Sequence, residues 1–535
     1  MATRRKLAIV GAFIASSLAF TACSGGGATS GIKDASADFG LQSSGLPVVT
    51  KALTLKFSGS KSALAPDYST MSLVQQWEKD TNVHVDWQNL PDNVYQEKKS
   101  LILASGDLPD AFFNSGLSDA EVANYGSNGT LIPLEDLIEK YAPNLSKLLK
   151  DRPDVRAAIT SSDGHIYTLP SVQELGLKQF SPMLAINTKW LKELGLPTPT
   201  TVQQLHDTLL AFKQKDPAGG GKTIPLSFES GSWTADIADL IAALGGIPDN
   251  QDHRIVQNGK VIYTASQHQY KQALETLHQW YQEGLIDPEA YSQDDKAYLA
   301  KGKTTTESLG MFAWWEVKEM VGDNRANDYA LLPIVKGVNG QRIASRTNFT
   351  DISRGAFAIT RTDKYPAATM RWADHLYDPV QSAQTNWGPI GVTLKKDSAS
   401  GLLVQIPADA STSEGERRQK VAPGGPFAVT SQDFKTVVAP EPRAAERQKT
   451  IQDLYLPYAG NDQYPPVMLS NDELQQVNSV QTDISTLVKQ KIAKWVVSGG
   501  IDQEWDSYVS QLNSIGLEKM MAVYQQAYDR YKKNS

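Results

Sequence analysis

Leu53-Thr-Leu-Lys-Phe57 alternates apolar and polar residues, as a strand with one buried face does. A loop over residues 58–69 follows it, carrying Pro66-Asp67-Tyr68. The spacing of Met71, Val74 and Trp77 then predicts a helix over 70–79. Val83-His-Val-Asp-Trp87 reads as a second strand and residues 92–104 as a second helix. Leu108-Pro-Asp-Ala-Phe-Phe113 turns into a third strand. The order strand, helix, strand, helix, strand specifies an α/β fold with a parallel sheet. Ligands of such sheets sit beyond the carboxyl ends of the strands. That rule places the 58–69 loop and the Asn114-Ser115 stretch at the edge of a candidate cleft.

Upstream, Met1-Ala-Thr-Arg-Arg-Lys6 is basic, and residues 7–20 (LAIVGAFIASSLAF) form an uncharged apolar run. The run is shorter than the roughly 20 residues a spanning helix needs. With Thr21-Ala22-Cys23 after it, the segment reads as an export signal over residues 1–22. Cys23 is the one cysteine in the chain and sits where a bacterial lipoprotein signal places its lipid-modified residue. Phe20 departs from the aliphatic residue usual three positions before it. Residues 23–50 are rich in Gly, Ser, Ala and Asp and are expected to form a flexible tether.

At 535 residues the chain exceeds one hydrophobic core, so two lobes are expected. Apolar residues make up 41% and charged residues 21%, the balance of a globular protein. The net charge is -7, and more negative once Arg4, Arg5 and Lys6 are removed. An acidic surface argues against nucleic acid, which requires a basic footprint. With Cys23 lipidated, packing alone holds the fold.

Further along, Tyr270, Ala273, Leu274, Leu277, Trp280 and Tyr281 mark one face of a helix over 267–283. Gly310-Met-Phe-Ala-Trp-Trp315 is a buried strand. Residues 232–244 and 365–377 are predicted helices. Asn386-Trp-Gly-Pro-Ile-Gly391 is a predicted turn. The end, from about residue 472, is helical with a break at Ser498-Gly-Gly500.

Sequence signals for catalysis are weak. Gly219-Gly-Gly-Lys-Thr223 lacks the glycine five residues before its lysine that a phosphate loop needs; Pro217 stands there. The seven histidines form no His-Glu-x-x-His, and no Gly-x-Ser-x-Gly elbow occurs. A pair of carboxylates for glycoside hydrolysis stays open, because sequence does not show their separation. No metal or cofactor site is expected. The 11 tryptophans say more. Trp233, Trp314, Trp315 and Trp387 lie beside Gly, Pro or polar residues. An aromatic plane covers the apolar C–H face of a sugar while polar side chains bind its hydroxyl rim. Each of these tryptophans is equally what a core would use.

The chain resembles the extracellular solute-binding lipoproteins of carbohydrate ABC transporters, in the branch of the LplA-like and alginate-binding proteins. The residues that carry the likeness are Cys23, Trp77-Glu-Lys-Asp-Thr-Asn-Val83, Gly106-Asp-Leu-Pro-Asp-Ala-Phe-Phe113 and Gly129-Thr-Leu-Ile-Pro-Leu-Glu-Asp-Leu-Ile138. Further carriers are Ile186-Asn-Thr-Lys-Trp-Leu191, Leu194-Gly-Leu-Pro-Thr-Pro-Thr200 and the C-terminal Tyr524-Gln-Gln-Ala-Tyr-Asp-Arg-Tyr531.

The resemblance implies a two-lobed periplasmic-binding-protein-like fold of type II. Each lobe is then a mixed sheet flanked by helices, and the C-terminal region is helical. Lobe one would be 51–168 with 345–390, and lobe two 169–344 with 391–535. The implied ligand contacts are Asp67, Tyr68, Asn114, Gln173, Glu174, Trp233, Trp314 and Trp315, with Trp387 at a Gly-rich turn. Relatives carry a calcium loop of the type Asp-x-Asn-x-Asn/Asp-Gly. Here Asp216-Pro-Ala-Gly-Gly-Gly-Lys-Thr223 keeps only Asp216 and glycines, so that site is expected to be lost or very weak. The implied function is a monomeric, non-enzymatic receptor, lipid-anchored to the outer face of the cytoplasmic membrane. It would hand an oligosaccharide to the permease subunits of an importer. A surface glycoside hydrolase and a binder of peptide or another polar solute are the alternatives.

Overall fold

Phe57 is fully buried where three strands meet. The computed structural model describes residues 34–535 apart from 181, 233, 409–413 and 535, and apart from the side chains of 93 and 534. The expected signal peptide, the lipidation site Cys23 and the candidate ligand contact Trp233 lie outside the described residues.

Along β1 (Leu53–Lys61), Leu53, Leu55 and Phe57 are buried, while Thr54 is exposed and Lys56 half-buried between them. Two strands flank it in parallel. β2 (Val83–Pro91) sets Trp87 opposite Phe57, and β3 (Ala111–Phe113) sets Ala111 there. The helix Ser72–Thr81 joins the first pair, burying Leu73, Val74 and Trp77, and ends at Asn82 with φ 58°. Asn is one of the few side chains that tolerate that left-handed conformation. The helix Asp92–Ser105 leads into β3.

Three more strands complete a six-stranded sheet: β4 (Leu169–Gln173), β11 (Ile352–Ile359) and β14 (Phe427–Val429), in the order β14-β4-β11-β3-β1-β2. β11 runs against both neighbours, so the sheet is mixed. The carboxyl ends of β1, β3, β4 and β14 therefore share one edge with the start of β11. A second sheet holds β5 (Met183–Asn187), β6 (Ile224–Ser227), β9 (Leu309–Trp314) and β10 (Tyr329–Leu331), in the order β10-β5-β9-β6. Two hairpins complete the strands: β7 (Arg254–Gln257) with β8 (Lys260–Tyr263), and β12 (Leu394–Lys396) with β13 (Leu403–Gln405).

Each sheet has its own core. In lobe one, Phe57 packs edge-to-face on Trp372 at 5.0 Å, and Trp87 on Phe113 at 5.0 Å. Such pairs contribute about 0.5–1.5 kcal/mol beyond the area they bury. In lobe two, the helix His268–Gln282 buries Tyr270, Ala273, Leu274, Leu277 and Trp280, the face its periodicity predicts. That face meets Val488, Trp495 and Tyr508 of the C-terminal helices Asn471–Ser498 and Ile501–Ile515.

Four expectations need correcting. The described part of the tether, residues 34–50, is packed onto lobe one. Val48 and Val49 are fully buried, the Ala35 N–H donates to the Lys364 carbonyl at 2.9 Å, and Arg371 donates to the Gly45 carbonyl. Two adjacent valines are enough to fasten a segment whose composition is otherwise that of a linker. Second, residues 391–438 were expected with lobe two, yet β14 pairs in parallel with β4 of the first sheet. Leu394, Leu403 and Val438 share a small core with Phe427 and Val429. Third, Trp387 ends the helix Pro379–Trp387 instead of lying in a turn. Fourth, the helix predicted over 232–244 begins only at Ala238.

Candidate functional site

The backbone crosses between the lobes three times, and the crossings are stitched to one another. The first leaves β4 and enters β5. The second runs from about residue 344 into β11, and the third spans residues 439–455, from Val438 packed beside β14 to Tyr455, whose hydroxyl donates to the Leu332 carbonyl. The Thr347 N–H donates to the Gln179 carbonyl at 3.0 Å, and the Thr347 hydroxyl donates to the Lys178 carbonyl. The Asp351 carboxylate accepts from the Gly176 N–H at 2.9 Å and from the Gln179 amide at 3.3 Å. Burial pushes its pKa up, and these bonds oppose that rise. Gln463, just beyond the third crossing, donates to the carbonyls of Thr347 and Phe349 at 2.7 and 2.9 Å.

A cavity of ≈ 530 Å³ opens against these crossings. Its walls include Phe180, Met183, Trp315, Phe349 and Ile451, with Lys178, Thr347 and Arg447 as polar groups. Trp315 follows directly on β9 and is half-buried. The guanidinium groups of Arg447 and Arg443 lie 4.9 and 5.6 Å from the centre of its ring. Arg443 also pairs with Glu316 at 3.3 Å. Phe349 is 42% exposed. Leu177 and Lys178 carry the wall on into a recess of ≈ 130 Å³ holding Gln173, Asp351 and Ser353. Lys178 and Phe349 also border a groove of ≈ 470 Å³ along the hinge. There Arg254 is stacked between Tyr464 and Tyr524, 4.6 and 3.9 Å from the ring centres. Arg354 ties Asp119 to the carbonyls of Pro466 and Val467. Aromatic planes beside a few placed polar groups suit a ligand with apolar faces and a hydroxylated rim.

Two of the residues singled out from sequence line these cavities: Trp315 the larger one and Gln173 the recess, with Leu177 and Lys178 lining both. None of the other described candidates lines these cavities. Tyr68 is 3% exposed and donates to the Pro423 carbonyl at 2.8 Å. Trp314 is 5% exposed and packs on Tyr298. Trp387 is 2% exposed, packs on Phe434 and donates its indole N–H to Glu441 at 2.9 Å. Glu174 is ion-paired with Arg152 and accepts from the Ser431 N–H at 2.7 Å. Asp67 is exposed and paired with Lys61 at 3.2 Å. Asn114 has φ 51° at the end of β3, and its N–H donates to the Ala356 carbonyl at 2.7 Å. Sequence reasoning missed Lys178, Phe349 and Arg447. Phe349, an aromatic between Asn348 and Thr350 close to the expected lobe boundary, carried a readable signal. Arg447 comes from the helix Pro442–Leu454 and carried none.

The loop that would hold calcium in relatives does not fit that ion. Asp216 closes the helix Val202–Lys215 with φ 46°. Its carboxylate accepts from the Gly221 N–H at 2.6 Å, the Thr223 hydroxyl at 2.7 Å and the Thr223 N–H at 3.2 Å. These bonds, Gly221 first, hold its pKa below the usual carboxylate value. Calcium needs about six to eight oxygens; this loop turns donors inward on its one carboxylate. Among the described residues no group of three His, Cys, Asp or Glu is placed to hold a metal, and no helix is long and apolar enough to cross a membrane.

Comparison with known proteins agrees with this architecture. The family described as bacterial extracellular solute-binding protein matches residues 61–383. The fructooligosaccharide ABC transporter substrate-binding protein FusA of Streptococcus pneumoniae serotype 4 is 38% identical over 514 residues, 93% of this chain and 94% of FusA. The structure of S. pneumoniae FusA in complex with kestose, also 38% identical, superposes with a TM-score of 0.76, covering 90% of this chain and 100% of that one. A structure of a FusA EF-hand mutant in complex with fructo-nystose matches with the same identity, coverage and TM-score. With a family match over more than half its length and a relative this similar end to end, the chain belongs to the bacterial extracellular solute-binding proteins.

Proposed function

We propose that this protein is the substrate-binding component of an ABC importer, which captures an oligosaccharide between its lobes and delivers it to the permease. The observation that carries the reading is the cavity at the three crossings, where Trp315 and Phe349 offer aromatic surface beside Lys178, Thr347 and Arg447. The hinge groove and the Gln173 recess adjoin it through Lys178, which offers room for more than one sugar ring. The complex of FusA with kestose supports the ligand class. No bond is made or broken. A ligand that touches both lobes has more contacts when they close on it, so it shifts the hinge equilibrium toward the closed form.

The signal pattern ending at Cys23 supports a lipid anchor on the outer face of the membrane. A Cys23→Ser precursor should then be released from cells, and one that stays bound speaks against the anchor.

Titration calorimetry with kestose tests the ligand. One-to-one heat and intact sugar are expected, with affinity reduced at least about tenfold in Trp315→Ala. Steady release of shorter sugars would mark a hydrolase instead. Heat from peptides and none from any oligosaccharide would mark a peptide receptor.

A further inference from the structure

Lobe two contains a cavity of ≈ 270 Å³ that the cleft account has not used. It lies between the loop after β6, the start of the helix Ala238–Gly245, the turn before β7 and the long helix Asn471–Ser498. Its mouth is at Gly231 and Ser485, both exposed. Gln251, Asp252 and Arg254 line both this cavity and the hinge groove. These three residues form a wall common to the cavity and the groove.

The lining is chemically specific. Phe228 and Tyr291 meet edge-to-face at 5.4 Å and form an apolar wall. His253 has φ 50°, and its Nδ1 lies 3.1 Å from Asp249. Tyr263 and Tyr270 pack against the imidazole edge-to-face, at 5.9 and 5.4 Å. The ring is thus fixed by contacts on several sides. Asp236 has backbone partners: its carboxylate accepts from the Ile237 N–H at 2.7 Å and from the Gly231 N–H. Burial raises its pKa to about 6, with Asp249 adding to the rise and His253 opposing it. A carboxylate held this way by backbone groups keeps lone pairs for further donors. Hydroxyl groups are such donors, and a sugar ring brings several beside an apolar face.

We propose that this cavity receives the terminal ring of the bound oligosaccharide, with ring hydroxyls donating to Asp236 and the C–H face against Phe228 and Tyr291. The proposal rests on the oligosaccharide reading above. It makes lobe two the half that measures the end of the chain, while the crossings hold its middle.

Two variants test it with kestose as the probe. Asp236→Asn removes the charge and keeps the shape. Ser485→Trp plugs the mouth from an exposed helical position. Each should bind kestose about tenfold more weakly, with a thermal midpoint no lower than that of the parent. Wild-type affinity in both variants would overturn the proposal while leaving the oligosaccharide reading intact. A parent protein that binds no oligosaccharide would remove that reading, and this one with it. A thermal upshift by calcium that Asp236→Asn abolishes would show a cation cavity and overturn it as well.

Discussion

Trp315 and Trp387 look alike in sequence, each beside polar or Gly/Pro neighbours, and the fold separates them. Trp387 is buried because Glu441, 54 residues away, supplies the acceptor its indole needs. No local pattern announces that partner, so its role was not legible. Trp387→Ala should cost about 3–5 kcal/mol in denaturant unfolding and leave oligosaccharide affinity of the folded fraction unchanged. Trp315→Ala should do the reverse. A second residue carries a pH signature. Burial raises the pKa of Asp239 to about 7, above the unfolded value of about 3.9. The folded state holds that proton more tightly, so this contribution to stability is full below about pH 4 and is lost as pH rises through 7. Asp239→Asn keeps an acceptor for the Ser345 N–H and removes the charge. Unfolding curves should show little change at pH 4 and a gain on the order of a few kcal/mol at pH 8. A gain that is the same at both pH values would reject this account.

Elements with strong periodicity were legible, and those defined by distant partners were not. The helix His268–Gln282 follows from its spacing of apolar residues, and the strand–helix alternation from Leu53 to Phe113 gave the first sheet its parallel half. The segment 34–50 misled because composition dominates a linker reading, whereas two buried valines and a few backbone bonds decide its place. β14 has three residues, too few for any period to show, and it is a strand because the edge of β4 is there to pair with it. The 216–223 loop gives a test at this scale. With Asp216 satisfied by Gly221 and Thr223, the thermal midpoint should be the same in calcium and in chelator. Asp216→Ala should lower it, because the Gly221 and Thr223 donors lose their acceptor. A midpoint that rises with calcium in the parent but not in Asp216→Ala would mean the loop binds the ion after all.

At the scale of the molecule, length alone called for more than one core, and the two sheets provide it. The proposed site lies beside the segments that join the two sheets, and the residues lining its cavities come from positions as far apart as Gln173, Phe349 and Arg447. Their juxtaposition is a property of topology, which a local reading of sequence does not reach. In the proposed mechanism the lobes move on a stitched hinge, and ligand favours the closed form. Beyond Cys23 the chain has no cysteine, so two labels can be placed cleanly. Leu64→Cys reports from lobe one, where the side chain is 46% exposed; Lys318→Cys reports from lobe two, where it is 63% exposed. The most direct test is the distance between spin labels at these two positions, measured with and without saturating kestose. The account predicts that the distance shortens on binding and recovers when the sugar is removed. Bound kestose with an unchanged distance would contradict it.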